Sequence, residues 1–128
     1  MKQNKELIGK KARTDGYRAE NFAVLFLRLK GDRILERNFK PPRGRGAGEI
    51  DIIAIKHNVI IFVEVKKRSS LTAAAEAVNS NVQARRIRGA EYFLMLHPEL
   101  SSMEMRFEVI LISPKRLPEH IQNAFMYS

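Results

Sequence analysis

The stretch that most constrains this chain is GEIDIIAIKHNVIIFVEVKKR, Gly48 to Arg68. Two runs rich in Ile and Val, Glu49 to Lys56 and Val59 to Lys67, are joined through His57-Asn58 alone, which predicts a β-hairpin. With that pair at the turn, Lys56 faces Val59, Ile55 faces Ile60 and Ile53 faces Phe62. The same register sets Asp51 against Glu64 and Glu49 against Lys66. Side chains alternate along a strand, so these residues share one sheet face. That face is hydrocarbon near the turn and charged toward its open end.

Opposed residues in an antiparallel pair have Cβ atoms roughly 4.5–5.5 Å apart, where like charges repel. Asp51 facing Glu64 is therefore costly unless something positive lies between them. One reading is a frayed, solvated strand end with Lys66 as neutraliser. The other is a claw for a hard cation such as Mg²⁺ or Mn²⁺, with the Val65 carbonyl as a third ligand. The second is favoured because the face continues into Ile53, Ile55, Ile60 and Phe62, the core side. An acid pair beside a lysine is also what phosphodiester hydrolysis requires. Carboxylates hold the metal, the metal activates water and phosphate, and a cation stabilises charge on phosphorus.

The rest of the chain supplies a scaffold. A helix is expected from Thr14 or Asp15 to Lys30, ended by Gly31. Arg33 to Phe39 reads as a strand, and KPPRGRGAG, Lys40 to Gly48, as a loop. Leu71 to Val78 reads as a helical turn or two, and Asn79, Ser80 or Asn81 caps a longer helix to about Leu96. Met105 to Ser113 reads as a strand, and a last short helix follows Pro118, with Ile121, Ala124 and Phe125 on one side. The order α-β-β-β-α-β gives an α/β fold: an antiparallel meander of three strands and a fourth returning through the long helix, with helices flanking one mixed sheet. Residues 1–13 read as a basic, flexible segment and 14–128 as a single domain.

On a helical wheel Glu20 falls among Ala23, Val24 and Leu27, an apolar sector, which suits either a site acid or a salt bridge. Gln83 shares a stripe with Ile87, Ala90 and Leu94, and suits equally a contact to phosphate or water and a core-edge hydrogen bond. His57, His97 and His120 read as surface histidines, and none is assigned to metal.

Charge narrows the partner. Lys plus Arg total 23 against 14 acidic residues, a net +9, with a pI near 10.2, which favours a polyanion. Arg43 and Arg45 in the glycine-rich loop, with Arg85 and Arg86 on the long helix, are candidate phosphate contacts. The chain has no cysteine, which excludes disulfides, thiol nucleophiles and thiolate zinc and fits the cytoplasm. Lys2, Gln3, Asn4 and Lys5 lead into no long apolar stretch, so a secretory signal is not expected. No apolar run approaches the ~20 residues of a membrane span, so the membrane is not an expected partner.

Together Glu20, GEID (48–51), VEVK (63–66), Arg68 and Gln83, in this element order, resemble the PD-(D/E)XK nuclease superfamily. More closely, the chain resembles a YraN-like uncharacterised bacterial family related to archaeal Holliday-junction resolvases. The match runs from Gly16 to about Ile112 through GYRAENFA, GEIDIIA, IFVEVKKR and RFEVILI. The resemblance implies a restriction-endonuclease-like αβββαβ core, metal ligands at Asp51 and Glu64, a catalytic Lys66 and a supporting acid at Glu20. It adds Arg68 to the nucleic-acid contacts and, from junction-cutting relatives, opens the option of a homodimer. Ile50 stands where the superfamily has a nominal proline, and Gln83 where near relatives commonly carry Lys. The expected activity is Mg²⁺- or Mn²⁺-dependent cleavage of DNA, branched or damaged forms included, with RNA left open. The rivals are a non-catalytic nucleic-acid-binding module on the same fold, and a scaffold whose basic face binds a protein or an anionic membrane.

Overall fold

The computed structural model describes residues 18–44, 46–67, 80–113 and 117–125. The basic segment 1–13, the cap at Thr14 or Asp15 and the helical turns over 71–78 lie outside the described residues. Within them the chain runs through α1 (residues 18–29), β1 (Arg33–Phe39), β2 (Ile50–Lys56), β3 (Val59–Lys66), α2 (Ser80–Leu96), a short 3₁₀ turn (Pro98–Leu100), β4 (Glu104–Leu111) and β5 (Glu119–Phe125). The strands form one sheet in chain order, antiparallel except where β4 lies parallel to β3.

The hairpin takes the register its turn dictates: Lys56 pairs with Val59, Ile55 with Ile60, Ile53 with Phe62 and Ile52 with Val63. His57 enters the tight turn with a positive φ of 56°. Helix α1 ends at Gly31, whose φ of 96° lets the Asp32 N–H reach the Leu27 carbonyl and its own N–H reach Arg28. This pair of bonds satisfies carbonyls that the last turn would otherwise leave orphaned.

The Ile/Val runs of β2 and β3 are apolar on both sides because both sides are covered. On one face Ala23, Val24 and Leu27 of α1 pack over Ile52, Ala54, Ile61, Val63 and Ile110. On the other, Ala90 and Phe93 of α2 pack over Ile53, Ile60, Phe62 and Phe107. Phe93 and Phe107 are almost wholly enclosed. Each such side chain contributes about 1.5–3 kcal/mol by leaving water. The result is an α/β fold, a mixed sheet between two helices, consistent with a restriction-endonuclease-like core.

One expected element is different. The segment after Pro118 is a strand, β5, and not a helix. It pairs antiparallel with β4, setting His120 beside Ile110 and Ile121 beside Val109. The spacing of Ile121, Ala124 and Phe125 suits a helix. Left uncovered, however, β4 would present a row of open N–H and C=O groups at the sheet edge, and a seven-residue strand satisfies them.

Candidate active site

Asp51 is the second residue of β2 and Glu64 the third from the end of β3, just beyond the last paired residues, Ile52 and Val63. The Asp51 carboxylate turns across the hairpin, where its Oδ2 accepts the Val65 N–H at 2.8 Å. Glu64 is only 8% exposed. Its Oε1 receives the Lys66 ammonium at 3.0 Å and also the Arg86 guanidinium from α2. Its Oε2 is buried with no hydrogen-bond partner, and so is one terminal nitrogen of Arg86. A buried polar atom left unpaired costs on the order of 1–3 kcal/mol, so these two atoms call for a further partner, a water or an ion.

Space exists for one. A small, partly open cavity of about 10 Å³, the size of a single water, is bounded by Asp51, Glu64, Arg86 and Glu108 and by the apolar Ile50, Phe62, Val63 and Phe107. Outside it opens a cleft of about 360 Å³ between Gly48, Glu49, Val82 and Arg85, and Asp51, Glu64 and Arg86 border that cleft too. Burial dominates the electrostatics. Loss of solvent pushes the Asp51 carboxyl from 3.8 up to about 6. The Val65 N–H opposes the shift, Glu64 adds to it, Arg86 opposes it, and Glu20 adds a smaller push. Burial likewise lowers the Arg86 guanidinium, against the pull of Glu64 and Asp51.

This donor set fits a hard divalent ion. Asp51 and Glu64 are close enough to repel, one Glu64 oxygen is free, and Mg²⁺ needs only one or two carboxylates because it keeps several waters. Among the described residues no group of three or more His, Asp or Glu side chains comes together to hold a metal. Water and main-chain oxygen would supply the remaining positions. The bond that Val65 makes here is through its N–H, to Asp51.

A close backbone crossing positions the helix over the hairpin. The Gly48 N–H donates to the Arg85 carbonyl at 2.7 Å, and a Cβ at Gly89 would stand 2.4 Å from the Gly48 carbonyl oxygen. Only glycine lets α2 approach the start of β2 this closely, and the approach brings Arg86 within reach of Glu64.

Of the other expected site residues, Lys66 joins the cluster through Glu64. Glu20 lies near enough to Asp51 to raise its carboxyl, and its Oε1 accepts from Arg37 and Asn38 of β1, each at 3.0 Å, the salt bridge that its wheel position allows. Gln83 is half-buried on α2 and is not among the residues bordering the cleft. Arg43 is exposed, and Arg85 is exposed at the lip of the cleft. Arg45 and Arg68 lie outside the described residues. Arg86 is not a free surface cation but part of the acid cluster. It stands four residues before Ala90 and seven before Phe93, the inward stripe of α2, and that spacing is the signal for it. His120 is likewise not a surface residue. Its imidazole is buried between Glu108 and Lys30.

Residues 19–112 match the model of a family described as "Uncharacterised protein family UPF0102". The chain belongs to the UPF0102 family. A UPF0102 protein of Rhodopseudomonas palustris is 47% identical over 110 residues, covering 86% of this chain and 83% of its own length. One from Paramagnetospirillum magneticum is 44% identical over 114 residues, covering 89% and 88%. A third, from Nitrobacter winogradskyi, is 47% identical over 110 residues, covering 86% and 90%. The UPF0102 match spans both carboxylates, Lys66 and Arg86. Among the described residues of this UPF0102 chain, no helix is long and apolar enough to cross a membrane.

Proposed function

We propose that this chain is a Mg²⁺- or Mn²⁺-dependent nuclease that hydrolyses phosphodiester bonds in DNA. The observation that carries the reading is the acid pair of half-buried Asp51 and buried Glu64, one Glu64 oxygen unpartnered and Lys66 at 3.0 Å from the other, bordering a cleft that α2 lines with arginine. An acid pair of this kind on a basic protein contributes nothing to phosphate binding by itself, which favours a role in holding a metal.

Asp51 and Glu64 would hold the ion, which when bound supplies Lewis acidity toward a phosphoryl oxygen and toward water. The Val65 N–H fixes the direction of the Asp51 carboxylate, and the packing of Phe62 and Phe107 keeps bulk water from its inner side. Lys66, anchored on Glu64, presents a positive charge where negative charge grows on the phosphorus oxygens in the transition state. Arg85 at the lip and Arg43 in the loop would seat the flanking backbone phosphates, which carry affinity and no sequence information.

The test is a metal-dependent cleavage panel of linear, nicked, flapped and four-way DNA, with an RNA arm. Cleavage of at least one DNA form, abolished by chelation, is the expected result. Binding with no cleavage of any form would move the assignment to a nucleic-acid-binding module. That alternative has its own support, because Lys66 and Arg86 already neutralise Glu64 without a metal.

A further inference from the structure

We infer that Arg86 is an exchangeable counter-ion, which leaves Glu64 when metal enters and passes to a substrate phosphate, so that metal and nucleic acid bind cooperatively. This rests on the metal-centre reading above and concerns how that same site is controlled.

Three observations carry it. First, the Arg86 guanidinium lies on the Glu64 carboxylate, and the side chains are 16% and 9% exposed. A cation for this acid pair is thus already in place, and a metal ion must compete with it. Second, the contact is incomplete. Glu64 Oε2 and one Arg86 nitrogen are both buried and unpartnered, whereas a guanidinium and a carboxylate can form two parallel hydrogen bonds. The pair therefore holds less than its full stabilisation, and a better-matched ligand on either side can separate it. Third, Arg86 borders both the small cavity against Phe62 and the open cleft beside Arg85. In the exchange, rotation about its side-chain bonds would carry the guanidinium from the first to the second.

The consequence is thermodynamic. A divalent ion puts two positive charges where Arg86 puts one, and releases a guanidinium that then lacks a partner. A phosphate in the cleft supplies that partner. Each ligand stabilises the arrangement the other requires, and linkage makes the effect mutual. Couplings of this kind are typically about 5–150-fold in affinity. Free protein then binds metal weakly, which withholds the hydrolytic ion until nucleic acid is present.

The experiment measures Mn²⁺ affinity by calorimetry, with and without a phosphorothioate-linked duplex that resists hydrolysis. It uses the full chain and its Arg86→Ala and Arg86→Met variants. Native protein is expected to bind Mn²⁺ roughly tenfold or more tightly with the duplex than without it, within the usual range of such couplings. The variants should bind Mn²⁺ more tightly than native protein in its absence, with the duplex effect falling to near onefold. Should both variants fail to fold, the side-chain Nε–Hε resonance of Arg86 in native protein answers instead. It should shift on Mg²⁺ addition and again on adding duplex. Variants with native Mn²⁺ affinity and an intact duplex effect, or an Arg86 signal unmoved by bound Mg²⁺, would overturn the exchange and leave the metal centre standing. No Mn²⁺ binding by native protein or variants, with or without duplex, would instead take down the metal centre and the exchange with it.

Discussion

Among the described residues, two clusters of buried charge lie along this sheet, and they are built to opposite rules. At the mouth of the β2–β3 hairpin, Asp51 and Glu64 stand together with one Glu64 oxygen and one Arg86 nitrogen unpaired. At the β4–β5 side, Glu108 is equally buried, yet it is held by the His120 imidazole, whose other nitrogen accepts from Lys30 at 3.0 Å. Phe26 lies edge-on against that imidazole, 5.8 Å between ring centres, and neither Glu108 nor His120 leaves a buried polar atom orphaned. A lysine can only donate, so Nδ1 of His120 accepts and Nε2 donates to Glu108. The chain of bonds is closed. Buried charge by itself therefore does not mark a site; buried charge left short of partners is the better pointer, because that cost must be relieved by a water, an ion or a ligand.

The difference can be broken most forcefully at Lys66. Lys66→Met should fold and bind DNA but cleave about 10²–10³ times more slowly, the value of a positioned cation in the transition state. Single-turnover cleavage beside a duplex-binding assay would measure it. Unchanged cleavage would reduce Lys66 to a neutraliser of Glu64.

Glu108→Ala should do the reverse. Removing the acceptor leaves the buried Nε2–H of a neutral imidazole unpaired, which typically costs about 1–3 kcal/mol, so urea unfolding should show a loss of stability. The metal affinity of whatever remains folded should not change. A loss of metal binding at native stability would show that the two clusters had been assigned the wrong way round.

Asp51 makes a quieter test with a definite sign. Because burial raises its carboxyl to about 6, the folded chain keeps a proton that the unfolded chain has released. Stability from this group is present below about pH 4 and is lost as pH rises through about 6. Asp51→Asn removes the loss. The variant should match native protein near pH 4 and exceed it above pH 7, by up to about 3 kcal/mol for a shift of this size. Melting curves across that window would show a flat difference if Asp51 were solvated instead.

The smallest effect belongs to the surface. Replacing exposed Arg43 and Arg85 by Ala should weaken binding to all duplex sequences alike and lower the salt slope by about one for each phosphate left without its arginine. A sequence-dependent weakening would mean that these arginines read bases.

The strength of the local signal decides what the sequence reveals. The hairpin register is legible because β-branched runs flank a two-residue turn, and the end of α1 because Gly31 takes a conformation that other residues resist. The strand β5 is not legible, since EHIQNAF suits helical and extended spacing about equally and only the open edge of β4 decides between them. His120 reads as a surface residue because its partners are distant in sequence, Lys30 by ninety positions. Asp51 and Glu64 emerge from register alone. Arg86 reads as a phosphate contact because a run of three arginines within four residues resembles a solvated face, while its helical phase points inward.

The most direct measurement is a Mn²⁺ titration of native protein, Asp51→Asn and Glu108→Gln by calorimetry in the presence of DNA, above the pH at which Asp51 ionises. Native protein and Glu108→Gln should each bind one ion at the hairpin site with similar affinity, and Asp51→Asn should lose that binding. An Asp51→Asn protein that binds Mn²⁺ as tightly as native would contradict the assignment of the hairpin mouth as the metal centre.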